Sequence, residues 1–436
     1  MQKIIQTLLL DFLETPLDVG IPRSLEIQPV HGKATICVGV RRCGKSTYLF
    51  QVMKSLFEKK ISRENICYLN FFDDRLHNLQ HEALGQIIEA YYSLYPEKKQ
   101  SEKVYCFFDE IQMISGWEPF IDRLLRTERC EVYITGSSAQ MLSKEIATQM
   151  RGRALSWELF PFSFKEYLNF KKLNSVAPFS TKRRLQIQKS FDGFWESGGF
   201  PEVIPLEKQL RIKTHQEYFQ AILFRDLIER HNIAHPVAVS DLAYKLIDTV
   251  GSLYTLNSLT GYLQSLGHKA PKSAVAAYIE WFEDAYFLFT VRLFDASLSR
   301  SNANPKKIYC IDHAFVASVS SGILLNSGHL LENLVFTALR RKFLKIYYYK
   351  TNSGREVDFL IQHQNRSKAL IQVCETLANE QTKKREIRAL LEAMTELSLK
   401  VGIVVTRDDE DELTIDGKII SVVPIWRYLL EMAVTA

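Results

Sequence analysis

The chain has 436 residues, 46% of them hydrophobic and 24% charged, the balance of a globular protein able to bury real cores; at about 150 residues per domain, two to four domains are expected. A net charge of +5 and a pI near 8.6 are too mild to identify a nucleic-acid binder, which needs a clustered basic stripe. Seven cysteines, at 37, 43, 67, 106, 130, 310 and 374, form no C-x-x-C pair and no zinc spacing, so the pattern predicts free thiols in a reducing, cytoplasmic setting.

The first segment, MQKIIQTLLLDFLETPLD, has an apolar run broken by Asp11 and Glu14 and reads as an amphipathic helix rather than a signal peptide. No run approaches 18 uninterrupted apolar residues, so no membrane span is expected. Residues 34–38, ATICV, predict a buried strand. GVRRCGKST follows at once, and then a helix on which Leu49, Val52, Met53, Leu56 and Phe57 recur at helical spacing.

Strand, G-x-x-x-x-G-K-S and helix is the setting of a phosphate-binding loop. The predicted nucleotide contacts are Gly39, Val40, Arg41, Arg42, Cys43, Gly44, Lys45, Ser46 and Thr47. The glycines let backbone N–H groups converge on phosphate oxygens, and the helix N-terminus adds its positive dipole end. Lys45 is placed to reach the β- and γ-phosphates, with Ser46 as a Mg²⁺ ligand. Cys43 either fills a tolerant position or is redox-sensitive, since a helix N-terminus lowers a thiol pKa.

VYCFFDEIQ (104–112) predicts a second buried strand, ending at Asp109 and Glu110. Asp109 suits the second Mg²⁺ anchor, and Glu110 the base that polarises an attacking water. A third strand, Val132 to Thr135, ends in Gly136-Ser137-Ser138. That tip is expected between the two carboxylates, with Ser137 either sensing the γ-phosphate or serving as a plain turn residue.

GVRRCGKST, FFDEIQ, ITGSSA, RGRALSWELFPFSFKEYL (151–168) and GGFPEV (198–203) together resemble the AAA-superfamily ATPases. More narrowly, they resemble a bacterial and archaeal group of predicted ATPases with a C-terminal domain of uncharacterised function. The resemblance implies ATP and Mg²⁺ as ligands, and the absence of an Asn-Lys-x-Asp motif favours ATP over GTP. It also implies an arginine that contacts the γ-phosphate, either within the chain or across a subunit boundary of a homo-oligomer. Arg153, Arg151 and Arg225 are the candidates; any of them can equally be a surface or salt-bridge residue.

Residues 161–235 read as a helical lid or connector, leaving 1–160 as the ATPase core. From 236 to 318, three short helices followed by two strands resemble a winged helix. The third helix carries only Lys272 as a base before its apolar residues, which favours packing or dimerisation over a groove-reading role.

The tail, 319–436, runs helix, three strands, helix, strand and resembles the restriction-endonuclease-like fold. Its acids are Glu332 on the helix and Asp358 on the second strand, but the metal-and-lysine triplet of active members reads Gln372-Val373-Cys374. A neutral cysteine supplies no positive charge, and Lys368 lies too far along its strand. The expectation is an inactive nuclease fold, with Lys383, Lys384 and Arg385 free to meet a nucleic-acid backbone.

The whole chain is thus expected to be α/β: a P-loop NTPase domain of AAA type with a helical lid, a winged-helix-like middle domain and a C-terminal restriction-endonuclease-like domain. The expected function is an ATP-hydrolysing switch that repositions its C-terminal modules; the alternatives are an ATP-regulated nucleic-acid binder and an ATP-gated nuclease. The partner is left open between nucleic acid and protein.

Overall fold

The computed structural model describes residues 1–137, 148–175, 177–323, 326–363, 365 and 367–432. The chain divides into two compact units, Met1–Phe160 and Pro161–Ala436.

In the first unit the helix α1 (Gln2–Glu14) buries Ile5, Leu8, Leu9 and Phe12, the spacing of one amphipathic face. Five strands follow: β1 (Ala34–Val38), β2 (Ile66–Asn70), β3 (Val104–Asp109), β4 (Cys130–Gly136) and β5 (Ala154–Glu158). They form one sheet in the order β2-β3-β4-β1-β5, parallel throughout. Strands β1 and β3 are buried at every position, which is why both read as unbroken apolar runs. The helix α2 (Lys45–Glu58) packs Leu49, Met53 and Leu56 into a core with Phe12, Ile66, Phe107 and Tyr133. Helical periodicity placed α2 correctly, whereas β2 and β5 escaped sequence reading.

The second unit opens with α3 (Phe164–Phe170). Its start is a capping box: Ser163 Oγ accepts from the Glu166 amide at 3.2 Å, and Glu166 Oε2 accepts from the Ser163 amide at 2.7 Å. The GGFPEV segment has an equally local cause. Gly198 has φ +68°, and a Cβ there would lie 2.3 Å from Asp312 Oδ1. A Cβ on Gly199 would lie 2.3 Å from the Phe162 carbonyl oxygen, and the Gly199 amide donates to Asp312 Oδ2 at 2.7 Å.

Nine strands of this unit form a single sheet in the order β13-β14-β12-β11-β10-β9-β7-β8-β6. They are β6 (Leu253–Tyr254), β7 (Leu288–Leu293), β8 (Lys306–Cys310), β9 (Ile346–Lys350), β10 (Glu356–Gln362), β11 (Lys368–Val373), β12 (Val401–Thr406), β13 (Asp411–Ile415) and β14 (Lys418–Pro424). The β7–β9 pair is parallel and joins strands from residues 236–318 to strands of the tail. β10 breaks register against β9 between Val357 and Leu360, the stretch that carries Asp358. The helix Lys272–Asp284 buries Val275, Tyr278, Ile279 and Phe282, so its apolar residues serve packing.

Candidate functional site

All five strands of the first sheet point the same way, so the loops after β1, β3 and β4 meet at one edge, where ligands of open α/β sheets bind. Gly39 follows β1 directly. A Cβ there would fall 2.1 Å from the Leu159 carbonyl oxygen, because Leu159 is held on β1 by its amide, 2.7 Å from the Val38 oxygen. Arg42 and Gly44 carry φ of +68° and +95°, turning the loop into α2. Arg23, which no sequence motif marks, donates from Nη1 to the Cys43 carbonyl at 2.8 Å and from Nη2 to the Phe160 carbonyl. It ties the loop to the chain beyond β5.

Lys45 is buried, its Nζ 3.2 Å from the Gly39 oxygen, 3.3 Å from the Val40 oxygen and 3.5 Å from Glu110 Oε1. Burial pulls the ammonium pKa down, but Glu110, with Cys43 and Asp109 behind it, more than offsets this and leaves Lys45 above its usual value. Asp109 is fully buried. Burial raises its pKa, against hydrogen bonds from Ser46 and Thr135 that favour the carboxylate. The Ser46 hydroxyl and Asp109 thus form a small set of oxygen donors, the chemistry a Mg²⁺ ion takes when it shares its shell with phosphates.

Thr135 links the two acids. Its hydroxyl donates to Asp109 Oδ1 and accepts from the Glu110 amide at 2.9 Å. Glu110 itself is left-handed, φ 56° and ψ 42°, a conformation that persists only when its surroundings fix it. Gln112 adds to that fixing by donating Nε2 to Glu110 Oε2. The position expected of the Gly136-Ser137-Ser138 tip, between the carboxylates, therefore belongs to Thr135. Ser137 is buried just past β4, and Ser138 lies outside the described residues. Among the other loop residues, Val40 and Cys43 are buried, Thr47 is half-buried, and Arg41 lies 5.7 Å from the Phe72 ring centroid. Burial holds the Cys43 thiol above its usual pKa, the reverse of the activation that a helix N-terminus predicts.

Arg153 stands elsewhere. Its carbonyl accepts from the Ala34 amide at 2.8 Å, at the start of β1 and β5, about 16 Å along the strand from the loop. Its Nε is 3.4 Å from Asp122 Oδ1. A γ-phosphate contact by Arg153 within its own chain is therefore ruled out by strand polarity. Arg151 is exposed at the same end, and Arg225 is exposed in the π-helical segment Ile222–Glu229.

The acids of the tail are also brought together, with one unexpected neighbour. Lys307 on β8 places Nζ 2.8 Å from Glu332 Oε1, 2.8 Å from Asp358 Oδ1 and 2.9 Å from Glu356 Oε1. Sequence reading had left these acids without a lysine; it arrives from another strand. Gln372 has its Oε1 3.3 Å from the Asp358 amide and its Nε2 2.6 Å from Glu386 Oε2. Burial pushes the Cys374 thiol up to about 12, so it is neutral. Lys368 Nζ sits over the Phe294 ring at 4.7 Å, away from the acids. All seven cysteines are buried free thiols, and among the described residues no helix is long and apolar enough to cross a membrane.

Residues 31–168 match the family model described as AAA domain, and residues 188–324 and 327–428 match two models described as domains of unknown function. An uncharacterized protein of Methanocaldococcus jannaschii is 35% identical over 94% of this chain and 91% of its own length. An uncharacterized protein of Haemophilus influenzae is 28% identical over 74% of this chain and 78% of its own. Among solved structures, the Aeropyrum pernix ORC1 protein in complex with DNA aligns with 67% of this chain and 87% of that one, at 11% identity and a TM-score of 0.30.

Proposed function

The chain belongs to the family of the Methanocaldococcus jannaschii protein and carries an AAA-type nucleotide-binding ATPase domain, and from that premise we propose a Mg²⁺-dependent ATPase that works as a molecular switch. The observation that carries this reading is the junction of Lys45, Asp109 and Glu110 at one sheet edge, with Thr135 bridging the two acids. The loop amides and Lys45 bind the phosphates. Ser46 and Asp109 would hold Mg²⁺, which neutralises charge on the β- and γ-phosphate oxygens. Glu110, fixed by Thr135 and Gln112, orients water and takes its proton. Ser137, just past β4, would sense the γ-phosphate.

In this reading the nucleotide state of residues 1–160 governs the segments beyond. These are a helical lid or connector (161–235), a winged-helix-like stretch (236–318) and a restriction-endonuclease-like tail (319–436) that does not cut. An arginine from a neighbouring copy, drawn from Arg151, Arg153 and Arg225, would complete the site in a homo-oligomer. The free thiols support a cytoplasmic setting.

ATP turnover by wild type and Glu110→Gln, with and without DNA or RNA, tests the proposal. Turnover lost in the variant supports it, and equal turnover defeats it. Stimulation by nucleic acid would place that polymer among the partners; its lack would point to a protein.

A further inference from the structure

A restriction-endonuclease-like tail implies a divalent metal held by Asp358 and neighbouring acids. The residues present do not fit one. Lys307 stands at the centre of the carboxylates, its side chain 3% exposed, and gives one contact to each of Glu332, Asp358 and Glu356. An ammonium has three N–H donors and no acceptor; two of them are hydrogen-bonded, to Glu332 and Asp358, and Glu356 is paired by charge. Two of these carboxylates have further partners. Glu332 Oε1 also accepts from the Tyr309 hydroxyl at 2.6 Å, and Asp358 Oδ2 accepts from the Val373 amide at 2.9 Å. Gln372, at the first position of the triplet, is hydrogen-bonded at both ends of its amide.

We propose that Lys307 is a built-in cation standing where a divalent metal would sit, so that the native tail takes no such metal, and that removing the ammonium converts the same three carboxylates into a metal site. Glu332 and Asp358 are buried and Glu356 half-buried beside them, so the cluster needs a positive charge within it. The lysine provides it from β8, on the other side of the β7–β9 junction from the tail strands. The oxygens stand 2.8 to 2.9 Å from Nζ. A divalent ion of the Mg²⁺ or Ca²⁺ class wants oxygens at roughly 2.0–2.6 Å, a contraction of a few tenths of an ångström to about 0.9 Å. The metal therefore has no room while the ammonium is present; once it is gone, the three carboxylates would have to close in and water would supply the rest of the shell.

The test is Mn²⁺ binding to the full-length, nucleotide-free protein, followed by the paramagnetic resonance of the free ion. Wild type, Asp358→Asn, Lys307→Ala and the double variant are compared, so that any weak binding at Ser46 and Asp109 is common to all four. Wild type and Asp358→Asn are expected to bind alike, while Lys307→Ala gains one ion per chain that the double variant loses. Asp358-dependent binding in the wild type would overturn the proposal, as would a folded Lys307→Ala that gains nothing. Should Lys307→Ala fail to fold, the wild-type and Asp358→Asn comparison still decides whether the native site takes metal.

Discussion

The ammonium of Lys45 lies 3.5 Å from the carboxylate of Glu110. The two groups assigned to opposite tasks, holding phosphate and activating water, are paired with each other. Under the proposed function, an arriving triphosphate would compete for Lys45 and release Glu110, coupling binding to arming through one ion pair.

Lys45→Ala removes the phosphate contact and the pair together. Losing about two charge-assisted hydrogen bonds corresponds to roughly 3 kcal/mol, or about a hundredfold weaker ATP binding. Titration calorimetry checks this, with circular dichroism confirming the fold; unchanged affinity would move the phosphate site elsewhere.

Glu110→Gln keeps the shape and removes the base. ATP is expected to stay bound while turnover drops by about a hundredfold or more. A single-turnover assay separates the two, and normal chemistry would assign the base to another group.

Gly39→Ala forces a methyl to within 2.1 Å of the Leu159 carbonyl. That oxygen belongs to backbone pinned on β1, so the loop must move. The expected cost is about 1–3 kcal/mol, on the scale of overpacking, together with weaker nucleotide binding. A melting temperature equal to that of wild type would show that the loop yields freely.

Glu332 gives the tail a pH dependence. Burial, then the charge of Asp358, lift its pKa from 4.5 to about 7 despite Lys307. The neutral Tyr309 hydroxyl and Glu356 complete the surroundings, and the half-buried His329 feels Lys307 and Asp358. Between those pH values the native state holds a proton that the unfolded chain has released, so this stabilisation is full below pH 4.5 and lost as pH rises through 7. Denaturant unfolding is expected to show wild type losing up to about 3 kcal/mol more than Glu332→Gln across that window. A relative gain would reverse the sign.

The tail is not expected to cut DNA or RNA in Mg²⁺ or Mn²⁺, with Asp358→Ala as control. Lys307→Ala instead reads out as lost stability, about 3–5 kcal/mol, because it strands buried acids without a counter-charge. Cleavage by wild type that vanishes in Asp358→Ala would show a working site.

The phosphate loop was legible because its information is contiguous: strand, glycine turn, lysine and helix follow within a few residues of one another. Asp109 was legible as the acid that ends a buried strand. Thr135 was hidden inside a strand, where a threonine commonly just fits the pleat. Lys307 was hidden more deeply. In KKIYC it reads as a solvated strand residue, and its partner Asp358 lies 51 residues away. Only the sheet order brings them together. Arg153 was legible only as a motif residue: strand direction puts it just before β5, at the end of the sheet away from the phosphate loop.

The parallel β7–β9 pair has a practical consequence for anyone dividing this protein. A fragment beginning at residue 319 would bare the flank of β9, an invitation to edge-to-edge aggregation. It would also leave Glu332, Glu356 and Asp358 without Lys307. Insolubility of such a piece would then report a severed sheet and an orphaned charge cluster, and would say nothing about whether the intact tail folds well.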